Sequence, residues 1–123
     1  MKTILVVDDS PLIRKAIRRI VEPLGFSVDE AGDGCEALEY FENGGRPDAV
    51  LLDVEMPKMD GIEFLKILRS RADWVQPPVV MCTTRSEISI ITEAIESGAD
   101  EYVMKPFDSS ILGAKLEGIG LVA

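Results

Sequence analysis

Short runs of consecutive apolar residues alternate along this chain with segments whose apolar positions recur at helical spacing. Ile4-Leu5-Val6-Val7 reads as a buried strand and ends on Asp8-Asp9. Ser10 then stands as an N-cap with Pro11 at the first helical position. Leu12, Ile13, Ala16, Ile17, Ile20, Val21 and Leu24 predict one broad helical stripe, closed by Gly25. Residues 27–31 form a weaker strand, and a helix over about 34–43 turns Ala37, Leu38 and Phe41 inward. After the breakers Gly44, Gly45 and Pro47, the run Ala49-Val50-Leu51-Leu52 again ends on an aspartate, Asp53. Ile62, Phe64, Leu65 and Leu68 mark a third helix. Val79-Val80-Met81-Cys82 runs into Thr83-Thr84, and a fourth helix covers about 87–97. Tyr102-Val103-Met104 ends at Lys105-Pro106, and a last helix covers about 109–117.

This alternation of strand and helix argues for a parallel sheet covered by helices on both faces. Strands that are apolar on every residue, rather than on every second one, fit burial from both sides. No linker, repeat or second domain is visible, so a single domain over residues 1–123 is expected.

In open sheets of this kind ligands bind beyond the carboxyl ends of the strands. Those ends carry Asp8, Asp9, Asp53, Thr83 and Lys105. Converging carboxylates repel: two unit charges about 4 Å apart cost about 1 kcal/mol in water and about 4 at an effective dielectric of 20. A hard divalent cation removes that penalty, and an all-oxygen ligand set suits Mg²⁺. Asp8, Asp9 and Asp53 would supply carboxylates, and the main-chain carbonyl of Glu55 a further oxygen. A carboxylate is also a competent nucleophile toward phosphorus. The cation, the Lys105 ammonium, and the Thr83 hydroxyl or a nearby backbone N–H would then neutralise the oxygens of a transferred phosphoryl group. Each residue has an ordinary alternative: a solvated acidic loop with a capping Asp9 or Ser10, a surface lysine, a β-branched strand residue. The set together speaks for the site.

Composition narrows the choice further. The formal charge of −9, from 13 basic and 22 acidic residues, argues against a nucleic-acid binder. There is no histidine, which removes imidazole bases and His-ligated metals and means that the chain is no phosphohistidine donor. Cys35 and Cys82 match no metal or redox spacing and are expected as reduced thiols in a cytoplasmic protein. No apolar run is long enough to cross a membrane. Nor does Met1-Lys2-Thr3, leading straight to paired aspartates, look like a secretory signal.

Val6-Val7-Asp8-Asp9-Ser10, Leu51-Leu52-Asp53 with Met56-Pro57 and Asp60-Gly61, Thr83-Thr84 and Lys105-Pro106-Phe107 together resemble the receiver family of two-component response regulators. The resemblance covers essentially the whole chain. It implies a flavodoxin-like fold with strand order 2-1-3-4-5 and a phosphoacceptor at Asp53, fed by a histidine kinase. It also implies a Mg²⁺ pair at Asp8 and Asp9, a phosphate-sensing hydroxyl at Thr83, a phosphate-pairing Lys105 and an aromatic switch at Tyr102. A free-standing, monomeric chemotaxis-type receiver fits best, with an excised domain of a longer regulator as the alternative.

Two rim positions and two surfaces add local expectations. Glu55 and Arg85 would face each other across the cleft mouth and hinder an attacking water. Arg14, Lys15, Arg18 and Arg19 predict a basic outward stripe for kinase docking, carried by Arg14 and Arg18. The fourth helix holds more isoleucines than one buried stripe needs, so Ile90 and Ile91 with Tyr102 predict an output surface on the face of the fourth helix, fifth strand and fifth helix. Among rivals, a haloacid-dehalogenase-type enzyme wants an aspartate where Glu55 stands, and a flavodoxin wants a phosphate loop after the first strand. A receiver-like binding module would need no acceptor set.

Overall fold

Non-alternating apolar strands can hide both faces only inside a three-layer arrangement, and the computed structural model of residues 2–121 has that form. Met1, Val122 and Ala123, included in the expected span, lie outside the described residues. The elements are β1 (Thr3–Val7), α1 (Pro11–Val21), β2 (Ser27–Ala31), α2 (Gly34–Glu42), β3 (Ala49–Asp53), α3 (Gly61–Ser70), β4 (Val79–Thr83), α4 (Ile88–Glu96), β5 (Glu101–Met104) and α5 (Ser109–Gly118). The strands lie in the order β2-β1-β3-β4-β5, with every neighbouring pair parallel. This is the flavodoxin-like order.

The two-residue period of a strand sends alternate side chains to opposite layers. Leu5, Val7, Val50, Leu52 and Met81 meet α2, α3 and α4 through Ala37, Phe41, Phe64, Leu65, Leu68 and Ala94. Ile4, Val6, Leu51, Val80 and Cys82 meet α1 and α5 through Ile17, Val21, Leu112 and Leu116. Phe64, Ile4, Leu5, Leu51 and Leu52 are among the largest fully buried side chains. At about 1.5–3 kcal/mol each, they anchor β1 and β3, the strands that lead to Asp8 and Asp53, against the helical layers.

The first helix is shorter than its apolar stripe predicts. It ends at Val21, and a 3-10 turn over Glu22–Leu24 follows. Pro23 has no N–H to give to the helical ladder, so the α-helix cannot run on to Gly25. Leu12 and Leu24, counted in that stripe, are exposed.

Four helices start on a side-chain cap: Ser10, Asp33, Asp60 and Asp108 each accept the backbone N–H three residues on. The exception is α4, whose Glu87 N-cap makes no side-chain cap bond and whose only fully buried residue is Ala94.

Opposite the carboxyl ends, a polar bracket closes the sheet. Arg69 donates to the carbonyls of Gly98 and Pro77 and pairs with Asp100, which in turn accepts the Val79 N–H. Asp48 likewise accepts the N–H of Thr3 at the start of β1.

Candidate functional site

The strand ends deliver the expected residues to one cleft. Asp8 follows β1, and its N–H donates to the Ala31 carbonyl, which continues the β1–β2 ladder by one residue. Asp53 is the last residue of β3 and Thr83 the last of β4. Lys105 follows β5, and its N–H donates to the Thr83 carbonyl at 2.8 Å. Ladder hydrogen bonds thus fix the main chain beneath each functional side chain. The Lys105-Pro106 peptide is cis.

The loop after β3 turns back tightly against Asp53. Gly61 donates to the Val54 carbonyl, and a Cβ at Gly61 would collide with the carbonyl oxygen of Asp53. Only glycine lets α3 start so close to the strand end.

Asp8, Asp9 and Asp53 each offer a carboxylate oxygen, all within 4.8 Å of one another. One cation answers them: the Lys105 Nζ lies 2.6 Å from Asp8 Oδ2 and 3.5 Å from Asp53 Oδ1. Asp8 is buried, with its Oδ1 accepting the Ser10 N–H, while Asp9 is exposed. Among the described residues Asp9 has no hydrogen-bond or ion-pair partner. The cleft therefore holds more negative charge than Lys105 cancels.

Asp53 is itself perturbed by its surroundings. Burial pushes the Asp53 carboxyl up to about 6; Lys105 opposes the rise and Asp8 adds to it. Burial alone would lower the Lys105 ammonium, but the hydrogen bond to Asp8 and the attraction of Asp53 outweigh it, and its net shift is upward. An oxygen-rich cluster with one unpartnered carboxylate and one reluctant to ionise is the donor set a hard divalent cation suits. The residues present fit Mg²⁺.

Thr83 is buried, and its Oγ1 accepts the Arg85 N–H at 2.9 Å. As an acceptor there, the hydroxyl keeps its own proton free to donate. Tyr102 is half-buried against the core layer of α4, with the Lys115 Nζ 5.5 Å from its ring centre.

The response regulator receiver domain family matches residues 4–117. The chain belongs to that family. It is 42% identical over 116 residues to the response regulator MprA of Mycobacterium sp. (strain KMS), an alignment covering 94% of this chain and 49% of that protein. The chain thus spans about half the length of the curated relatives it matches. Among solved structures, the chemotaxis protein CheY4 of Vibrio cholerae superposes with a TM-score of 0.89 at 34% identity, covering 97% of this chain and 98% of that one. The receiver domain of the Francisella response regulator 1452 superposes with a TM-score of 0.86 at 32% identity, covering 97% and 96%. Receivers take phosphoryl groups from histidine kinases and bind downstream targets, and this receiver is a signalling domain of a two-component system. No described helix is long and apolar enough to cross a membrane.

The receiver's rim carries the expected pair. Arg85 Nη1 lies 3.1 Å from Glu55 Oε1, and its Nε lies 3.0 Å from Glu87 Oε1. Sequence reasoning missed Glu87, because an ion pair two residues apart in a loop leaves no periodic signal.

The basic stripe is corrected. Arg14 and Arg18 both turn toward β2 and pair with Glu30, and Arg18 also pairs with Glu22. These acids hold the two guanidiniums, which leaves Lys15 and Arg19 as the exposed cations of α1. The isoleucines of α4 are also redistributed. Ile90 packs on the core and Ile91 is half-buried, while Ile88, at 81% exposure, and Ile95 face solvent.

Beside α1 lies a feature the sequence did not announce. An apolar groove of about 330 Å³ is lined by Ile13, Ala16, Ile20, Pro106 and Phe107, with Lys105 at its margin. Cys82 is buried and its thiol is pushed up to about 12 by that burial, so it is inert beneath the site, whereas Cys35 is exposed.

Proposed function

We propose that this receiver accepts a phosphoryl group on Asp53 from the phosphohistidine of a kinase, with Mg²⁺ held by Asp8, Asp9, Asp53 and the Glu55 carbonyl. The observation that carries the reading is the position of Lys105, within 3.5 Å of both Asp8 and Asp53 in an acidic cleft. A carboxylate oxygen of Asp53 attacks phosphorus; the new O–P bond forms as the donor's N–P bond breaks, and the electron pair leaves with the imidazole nitrogen. Bound Mg²⁺ supplies neutralisation of the carboxylates and of one phosphoryl oxygen. Lys105 pairs with a second oxygen as a compact point charge. Thr83, whose proton is free, donates to a third and draws Tyr102 inward behind it. Such a switch is a shift between two conformations, driven only by contacts that differ between them.

The Glu55–Arg85 bridge covers the cleft mouth, where it hinders an attacking water and lengthens the life of the acyl phosphate. The kinase docks on α1, its apolar residues filling the groove beside Phe107 and its acidic ones meeting Lys15 and Arg19. The downstream target binds the face of α4, β5 and α5, where Ile88, Ile91 and Ile95 recur at one helical face beside Tyr102.

A role in chemotaxis is supported by the likeness to the chemotaxis protein CheY4. A second reading, the receiver half of a longer regulator, is supported by the higher identity to MprA over half of that protein's length.

Incubation with Mg²⁺ and acetyl phosphate followed by intact-mass measurement tests the chemistry. One phosphoryl adduct is expected, absent in Asp53→Asn and absent when EDTA replaces Mg²⁺. An adduct that persists in Asp53→Asn, or none in the unmodified protein, overturns the assignment.

A further inference from the structure

The Asp8–Asp9 peptide group is gripped from outside the cleft. Arg14 Nη1 donates to the Asp8 carbonyl oxygen at 2.6 Å, while its Nε pairs with Glu30 Oε1 at 2.8 Å. The same guanidinium lies against Gly32: a Cβ there would meet Arg14 Nη1 at 3.6 Å. Arg14 thus spans α1, the end of β1 and the end of β2, and its side chain is only 18% exposed.

A peptide group is planar, so holding its oxygen fixes its nitrogen as well. The nitrogen on the far side of this plane belongs to Asp9. Asp8 has further restraints on its side chain, from the Ser10 N–H and from Lys105. Asp9 has none among the described residues. The direction in which the Asp9 Cα–Cβ bond leaves the main chain is therefore set by the two flanking peptide planes, one held by Arg14 through the Asp8 carbonyl and the other by Asp8 through the Ser10 N–H.

We propose that Arg14 is a positioning residue for the acidic pair: by pinning the Asp8 carbonyl it aims Asp9 into the cleft and so sets the cleft's affinity for a divalent cation. The inference rests on the Mg²⁺ reading above. It differs from a general electrostatic role in sign. Removing an arginine makes the neighbourhood more negative, which by charge alone tightens cation binding. Loss of aim loosens it, by the order of tenfold typical of outer-shell partners of metal ligands.

Arg18 provides the matched control. It pairs with the same Glu30, through Oε2 at 2.7 Å, and its carbonyl partner is Val28 rather than Asp8. Calorimetric titration of Mg²⁺ alone into the unphosphorylated full chain reads the effect without any turnover. Arg14→Met is expected to bind Mg²⁺ about tenfold more weakly, and Arg18→Met within about twofold of the unmodified protein. Arg14→Lys, which keeps the charge but cannot span both partners, is expected between them; it also carries the test should Arg14→Met fail to fold. Equal or tighter binding by the Arg14 variants, or an equal loss in the Arg18 variant, overturns the proposal. If the unmodified protein binds no Mg²⁺, the functional reading falls and this inference with it.

Discussion

The two ends of the sheet carry charged residues in opposite moods. At the amino ends, Arg69, Asp100 and Asp48 meet matched partners: guanidinium donors face carbonyls and a carboxylate, and carboxylates face backbone N–H groups. At the carboxyl ends, three carboxylates face one ammonium and one acid has no partner among the described residues. The backbone framework is the same, yet one end is electrostatically finished and the other carries negative charge that Lys105 alone does not cancel. Charge that is balanced in place holds structure, and charge left unbalanced on a rigid platform is available for chemistry.

Breaking the finished end should cost stability and spare the chemistry. Arg69→Ala strips donors from the Gly98 and Pro77 carbonyls and leaves Asp100 half-paired. A loss of about 2 kcal/mol is expected in chemical denaturation, with acetyl-phosphate uptake at Asp53 within about twofold of the unmodified protein. Loss of uptake in a folded Arg69→Ala protein would mean that the two ends are coupled.

Relieving the unfinished end should do the reverse. The Asp53 carboxyl sits at about 6 in the folded chain against an ordinary 3.8. The folded state therefore holds the proton more tightly than the unfolded one. The contribution of this one carboxyl to stability is full below about pH 4 and is lost as pH rises through 6. In metal-free buffer at pH 7, Asp53→Asn is expected to be more stable than the unmodified protein by on the order of 1 kcal/mol, allowing for solvent at the open mouth. The gap should close near pH 4. Equal stability at both pH values removes the claim that the acceptor is under strain.

The smallest effect belongs to the rim. With Glu55→Ala and Arg85→Ala combined, the phosphorylated protein should lose its phosphoryl group a few-fold faster, equivalent to under about 1 kcal/mol in the barrier. Phosphate release after removal of the donor measures it, and unchanged decay refutes the shielding role.

Much of this was legible because the chemistry sits where the pattern changes. Asp8, Asp53, Thr83 and Lys105 each follow an uninterrupted apolar run, and a buried parallel strand permits a polar residue only where it emerges. What stayed hidden depends on contacts between elements. Helical spacing gave Arg14 and Arg18 one face but not Glu30, which approaches from β2. The stripe of α1 took in Leu12 and Leu24, since periodicity does not say how far a neighbour extends over a helix or where Pro23 stops it. The groove beside Phe107 forms between α1 and a loop far along the chain, and no local pattern encodes such a meeting.

The seating of α4 has one more consequence. A helix whose lone fully buried residue is an alanine, with Ile90 only partly buried on the core, and which begins without a side-chain cap, has less apolar burial to give up by sliding than its neighbours. Among the helices that flank the sheet, α4 is the wall least held by buried side chains.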